Sequence, residues 1–160
     1  MASKAPMNRQ IAWLSVIPHI LIIALLVFFY NKLALDDGNE GIYAGLTFFA
    51  LAYLSKMLIA KEHRRGIKLT KQGKFEEAIP HFQRSADFFT RYAWIDKWRY
   101  LVLLSASKMC YREMAFCNIA FCLTQTGKGN EAKKMYEDIL KEYPQNIIAT
   151  TALRMVTSMQ

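Results

Sequence analysis

The sequence predicts an all-α protein: a two-helix transmembrane hairpin followed by a domain of paired helices. Three observations carry this expectation. Residues 11–30 and 41–60 form two apolar runs, each about the 20 residues a helix needs to cross a bilayer core. Beyond residue 60 the chain becomes charged, and apolar residues return every three or four positions, the spacing of one helix face. Two stretches, 66–89 and 120–144, each read as helix, tight turn, helix, broken at Gly73 and Gly127.

The 160 residues accommodate one ordinary domain and something small. The apolar share of 53% is concentrated in the first sixty residues. A formal net charge of +8 suits an anionic partner, nucleic acid or lipid head groups. The basic residues sit beside a hydrophobic segment, which points to lipid and away from nucleic acid. Cys110, Cys117 and Cys122 are odd in number and form no CxxC. They read as small reduced core residues in a reducing compartment, not as a disulfide framework or a zinc site.

In chain order, residues 1–10 are a polar tail carrying Lys4 and Arg9. The first span, 11–30, places Trp13 and Tyr30 near its ends, where amphipathic rings prefer to lie. A signal peptide is the competing reading. The run is long for one, no small-residue cleavage site follows it, and a second apolar run comes soon after, so a retained anchor is favoured. His19 follows Pro18 inside this span. It is either a functional group in the membrane or a neutral imidazole bonded to a neighbouring helix, and neither span offers an acid to complete a proton relay. Residues 31–40 are a short acidic outer loop with Asp36, Asp37 and Glu40 against Lys32. The second span, 41–60, carries Lys56 near its end and a GxxxG pair, Gly41 and Gly45, suited to close helix packing. One span plus a buried helix is the alternative, disfavoured by the length and single charge of the second run. Lys4 and Arg9 flank the first span, and Lys61, Arg64, Arg65, Lys68, Lys71 and Lys74 follow the second. The positive-inside rule therefore predicts an integral protein of the inner or plasma membrane with both termini cytoplasmic.

No proline or glycine separates the second span from Gly66, so residues 61–160 are expected to sit close to the bilayer. Lys61, Arg64, Arg65 and Lys68 become candidate membrane-surface residues near anionic head groups, each contributing on the order of 1 kcal/mol. Plain positive-inside flanking accounts for them equally well. In 66–89 Phe75, Ala78, Ile79 and Phe82 share a helix face; in 120–144 Ala132, Met135, Tyr136, Ile139 and Leu140 do. Between the pairs, about 90–112 reads as an inserted helix, or an extension of the next pair's first helix, with Trp94, Trp98, Leu101, Val102 and Met109 in one stripe. That stripe is either core or a helix lying on the membrane surface. Pro144 ends the second pair. A last helix in 145–160, with Ile147, Ile148, Thr151, Ala152 and Met155 on one side, would cap the stack.

The two pairs resemble the tetratricopeptide repeat. The matching residues are Gly66, Gly73, Phe75, Ala78, Phe82 and Ala86 in the first copy. In the second they are Ala120, Leu123, Gly127, Ala132, Tyr136, Leu140 and Pro144. The segment between them interrupts the family's period. The resemblance implies a superhelical stack whose first helices line a concave surface for protein or peptide partners. On that surface would lie His63, Arg64, Ile67 and Lys71 from the first copy, with Asn118, Phe121 and Gln125 from the second. The lysine and asparagine set with which some relatives hold a C-terminal carboxylate is not reproduced.

No phosphate-binding loop, nucleophile elbow, HExxH or EF-hand pattern occurs. Glu76 and Glu77 are adjacent and point to different helix sides. His63 and His81 lack metal-ligand spacing. The expectation is a non-enzymatic protein without cofactor or metal, a membrane-anchored adaptor or scaffold. A non-catalytic structural or assembly subunit of a larger membrane complex is the alternative, and homo-oligomers are left open.

Overall fold

The computed structural model describes residues 12–33 and 38–158. Lys4, Arg9, Asp36 and Asp37, on which part of the orientation argument rests, lie outside them. The described residues are all-α, with no sheet. Helices α1 (Val16–Lys32) and α2 (Glu40–Ile59) come first, then α3 (Lys61–Lys71) and α4 (Phe75–Arg91). Two short helices follow, α5 (Ala93–Lys97) and α6 (Arg99–Val102), and the chain ends in α7 (Tyr111–Gln125), α8 (Gly129–Glu142) and α9 (Ile147–Ser158).

α1 and α2 pack against each other. Tyr30 Oη lies 2.7 Å from Thr47 Oγ1, and the His19 ring meets Phe48 edge-on. Ala44 and Ala52 are the buried residues of α2. Gly41 and Gly45 have open space where a side chain would stand, so the close packing expected at the GxxxG pair is not made there. Among the described residues one helix, α2, is both long and apolar enough to cross a membrane, with 20 residues and a mean hydropathy of 1.6. α1 has 17 residues, because the apolar run opens with a tighter turn at Trp13–Ser15 and becomes α-helical only just ahead of Pro18. A proline sits well in a helix's first turn, where no intrahelical donor is needed.

Only Ala60 separates α2 from α3. It is buried, accepts from Arg64 N at 3.0 Å and donates to Lys56 O at 3.2 Å. The apolar helix therefore bends straight into the charged one, with no tether between them. Ala60 belongs to a small core with Phe89, Ile95, Leu103 and Tyr111, so the end of α2 is packed against α4, α7 and the insertion.

α3–α4 and α7–α8 are two copies of one design. In each, the glycine after the first helix has φ +76°, a left-handed conformation that costs a residue with a Cβ roughly 1–2 kcal/mol. Lys74 N donates to Leu69 O and Gly73 N to Thr70 O. Lys128 N donates to Leu123 O and Gly127 N to Thr124 O. This paired Schellman closure satisfies the last helical carbonyls. Gly127→Ala and Gly73→Ala are each expected to lower stability by about 1 kcal/mol, read as a fall in the thermal midpoint; an unchanged midpoint in both would contradict the left-handed turn. Buried positions also correspond: His63 with Cys117, Gly66 with Ala120, Ala78 with Ala132, Phe82 with Tyr136, Ser85 with Ile139. At Gly66 a Cβ would stand 2.7 Å from the fully buried Phe82 ring, so the first pair of helices approaches too closely for alanine. The main core is built from both copies and Ala149 and Val156 of α9.

The region expected to hold one helix at about 90–112 is instead α5, α6 and a non-helical return over 103–110. The helix is interrupted at Trp98 alone, and Leu104 turns the chain back at φ +44°. Arg99 fastens the return: its guanidinium donates to Asp96 O at 3.0 Å, Ser107 O at 3.2 Å and Lys108 O at 2.8 Å. α9 packs on α8, but through Ala149, Ala152, Leu153 and Val156. Ile147 and Met155, expected on the packed side, are exposed.

Candidate partner-binding surface

Aligned by their turns, Arg64, Ile67 and Lys71 on α3 correspond to Asn118, Phe121 and Gln125 on α7. The two helices meet where Thr70 Oγ1 comes 3.8 Å from Cys122 Sγ, so the six residues lie on neighbouring helices. Arg64 and Lys71 are exposed, and Asn118 and Gln125 are half-buried. Arg64 lies over the Tyr53 ring of α2 at 5.5 Å. Ile67 and Phe121 are half-buried against the main core, and Phe121 meets Phe75 edge-on at 5.9 Å. The outer row is thus cations on one helix and carboxamides on the other, above a partly covered apolar floor.

His63 does not belong to this surface. It is 6% exposed, held edge-on between the rings of Phe82 at 5.5 Å and Tyr111 at 5.4 Å. Its Nδ1 lies 3.4 Å from Ser85 Oγ. Burial pushes the imidazole down to about 4, so it is neutral at physiological pH. The signal is present in the sequence: His63 falls on Cys117, a core cysteine, when the two glycine turns are superposed.

Of the membrane-surface candidates, Lys61, Arg64, Arg65 and Lys68 are all exposed on the first turns after α2. Arg65 is drawn into a cluster on Glu62, whose Oε1 accepts from it at 3.0 Å. Glu62 Oε2 lies 2.8 Å from His81 Nδ1 and 2.9 Å from Arg84 Nε. Burial pushes the Glu62 carboxyl up, but the His81 and Arg84 bonds and charges outweigh it and hold it below the usual range. Exposed pairs of this kind add little stability; here they fix which way Arg65 points.

Several residues that organise the region were not singled out beforehand. Asp96, 5% exposed, accepts from Tyr111 N at 2.8 Å and Arg112 N at 2.9 Å, capping α7 from a distance. Cys110 and Glu113 close a capping box at the same helix start. Arg112 reaches Thr90 Oγ1 at 2.8 Å, Tyr143 Oη at 3.0 Å and the Glu142 carboxylate, joining α4, α7 and α8. Asn146 donates to Glu113 Oε1 at 2.9 Å and accepts from Ala149 N at 2.7 Å, fixing the start of α9. These last groups border a cleft of about 380 Å³ lined by Lys108, Glu113, Tyr143, Asn146 and Ile148 among others; none of the residues proposed from sequence lines it.

Burial pushes all three thiols up, Cys117 to about 12. They stay protonated at neutral pH and are poor nucleophiles. Among the described residues no cluster of His, Cys, Asp or Glu is arranged to hold a metal ion. The surface carries hydrogen-bond donors, positive charge and an apolar floor. No protein-family model, curated protein or solved structure matches the chain at a significant level.

Proposed function

We propose that the chain is a membrane-anchored adaptor, in which α1 and α2 cross the inner or plasma membrane and the tetratricopeptide-like stack from α3 onward recruits protein partners in the cytoplasm. The observation that carries this reading is the outward face of the first two helices. Ile17, Ile20, Leu21, Leu25, Phe28 and Phe29 of α1 are exposed, as are Leu46, Phe49 and Leu58 of α2, Phe49 at 73%. An apolar sleeve of that extent is not left facing water. The tight turn at Trp13–Ser15 and α1 together wind about 31 Å, enough for a bilayer core of roughly 30 Å. The basic Lys61, Arg64, Arg65 and Lys68 at the exit of α2 support an inside orientation for that end.

The partner surface is assigned to Arg64, Ile67, Lys71, Asn118, Phe121 and Gln125, with a protein or peptide carrying acidic and apolar groups as its occupant. A photo-crosslinking residue at Lys71 or Gln125, in cells, is expected to capture a discrete protein, and Arg64→Glu with Lys71→Glu to abolish the capture. Capture that survives both reversals would remove the surface from consideration. Protease added outside spheroplasts should leave the carboxyl-terminal half intact; trimming would invert the topology. The runner-up, a structural subunit whose hairpin is sheathed by other spans, is favoured by the aromatic Phe28, Phe29 and Phe49 on that sleeve. It predicts a stable assembly surviving detergent extraction with the hairpin alone.

A further inference from the structure

We propose that the 92–109 insertion is a third membrane-contacting element, seating its outer face in the interfacial layer of an anionic bilayer. This rests on the membrane reading of α1 and α2. α5 and α6 form a nearly continuous spiral, since Trp98 N donates to Trp94 O and Val102 N to Trp98 O, both at 2.9 Å. One side of it is spent on the protein: Ile95 and Asp96 are buried. The other side presents Trp94, Lys97, Trp98 and Leu101, at the spacing of one helix face. Trp94 is 58% exposed and Trp98 54%. Two large indoles facing water on one short element need an occupant.

The depth of this face is set by the hairpin. His19 Nε2, in the first turn of α1, donates to Tyr100 O at 2.9 Å. Ala12 N donates to Ala106 O at 2.9 Å. Ile95 and Leu103 share a core with Ile59 and Ala60 at the end of α2. The insertion therefore lies across the mouth of the hairpin, touching the start of one membrane helix and the end of the other. That is the level of the head groups, where indole rings partition. Charge agrees: Asp96, the one acid in 92–109, is buried on α7, while Lys97 and Lys108 are exposed. His19 acts here as a positioning residue that ties α6 to the membrane helix, and no relay chemistry is needed to account for it.

The chain has three tryptophans, Trp13, Trp94 and Trp98, which makes the test direct. Full-length protein is reconstituted into phosphatidylcholine–phosphatidylglycerol vesicles, with far-UV circular dichroism confirming the fold. Trp13→Phe leaves the two insertion indoles; the Trp94→Phe, Trp98→Phe double variant leaves Trp13. In Trp13→Phe, lipids brominated high on the acyl chain are expected to remove most of the emission, and acrylamide to quench little. Replacing phosphatidylglycerol by phosphatidylcholine should weaken the bromolipid effect. Full acrylamide access with no bromolipid loss overturns the proposal and leaves the face to water or a protein partner. If Trp13 is still quenched by bromolipid in the double variant, the anchor stands and only this inference has failed; if Trp13 is untouched as well, both fail. Insensitivity to phosphatidylglycerol overturns the anionic component.

Discussion

Asp96→Ala is expected to lower the stability of the helical domain by about 3–5 kcal/mol. The carboxylate is buried and accepts two backbone N–H groups, from Tyr111 at 2.8 Å and Arg112 at 2.9 Å. Hydrogen bonds to a charged group contribute about 1.5–3 kcal/mol each, and the alanine removes both of them at once. The carboxylate also sits at the positive end of α7, which favours a negative charge there. Asp96→Asn retains one carbonyl acceptor and forfeits the charge, so about half of the loss is expected. For a domain of this size the alanine variant should depress the thermal midpoint by roughly 12 °C or more, followed as lost helical ellipticity in detergent micelles. The effect should also travel. Asp96, with Ile95 and Leu103, holds the insertion against α7, and α6 in turn holds His19. A midpoint within a degree or two of the parent would mean that α7 starts without help from the insertion.

That dependence could not be read from the chain. Helix pairs and their turns are local: Gly73 and Gly127 stand out because few other residues adopt φ +76°, and the apolar spacing on either side is self-contained. Asp96 caps a helix that begins beyond a non-helical return, and nothing in the spacing announces it. Size misled at both ends of the domain. On α9 the large Ile147 and Met155 suggested the packed side, yet they are exposed and the small Ala149 is fully buried in the main core. In the insertion, Trp94, Trp98 and Leu101 formed the apolar stripe that a core would show, but the inner side is held by Ile95, Leu103 and the polar clasp instead. Arg64, Ile67, Lys71, Asn118, Phe121 and Gln125 fall at matching positions of the two copies, whereas His63 matches the buried Cys117 and lies in the core with it.

Lowering the pH from 7 to 4.5 is expected to cost the domain stability through His63. Its folded value is about 4, against 6.5 for a free imidazole, and burial is the cause. The unfolded chain therefore binds a proton in the window between these values that the folded chain refuses. The sign follows: the neutral ring's contribution is complete above about pH 6.5 and is lost progressively as pH falls towards 4. At 1.36 kcal/mol per pH unit the whole window amounts to about 3 kcal/mol. The neighbours offer no charge to offset it, since the ring faces Phe82, Tyr111 and Ser85. His63→Leu keeps the apolar contacts, removes the titration, and should flatten this part of the dependence. Comparison with the variant is needed because Glu113, whose carboxyl burial pushes above its usual range, acts with the opposite sign near the lower edge of the window. The quantity to follow is the urea midpoint of parent and variant at each pH: the parent should lose ground to His63→Leu steadily below pH 6.5. Parallel curves would show that the imidazole takes up its proton in the folded state as readily as in water, and the buried placement between the two rings would have to be abandoned.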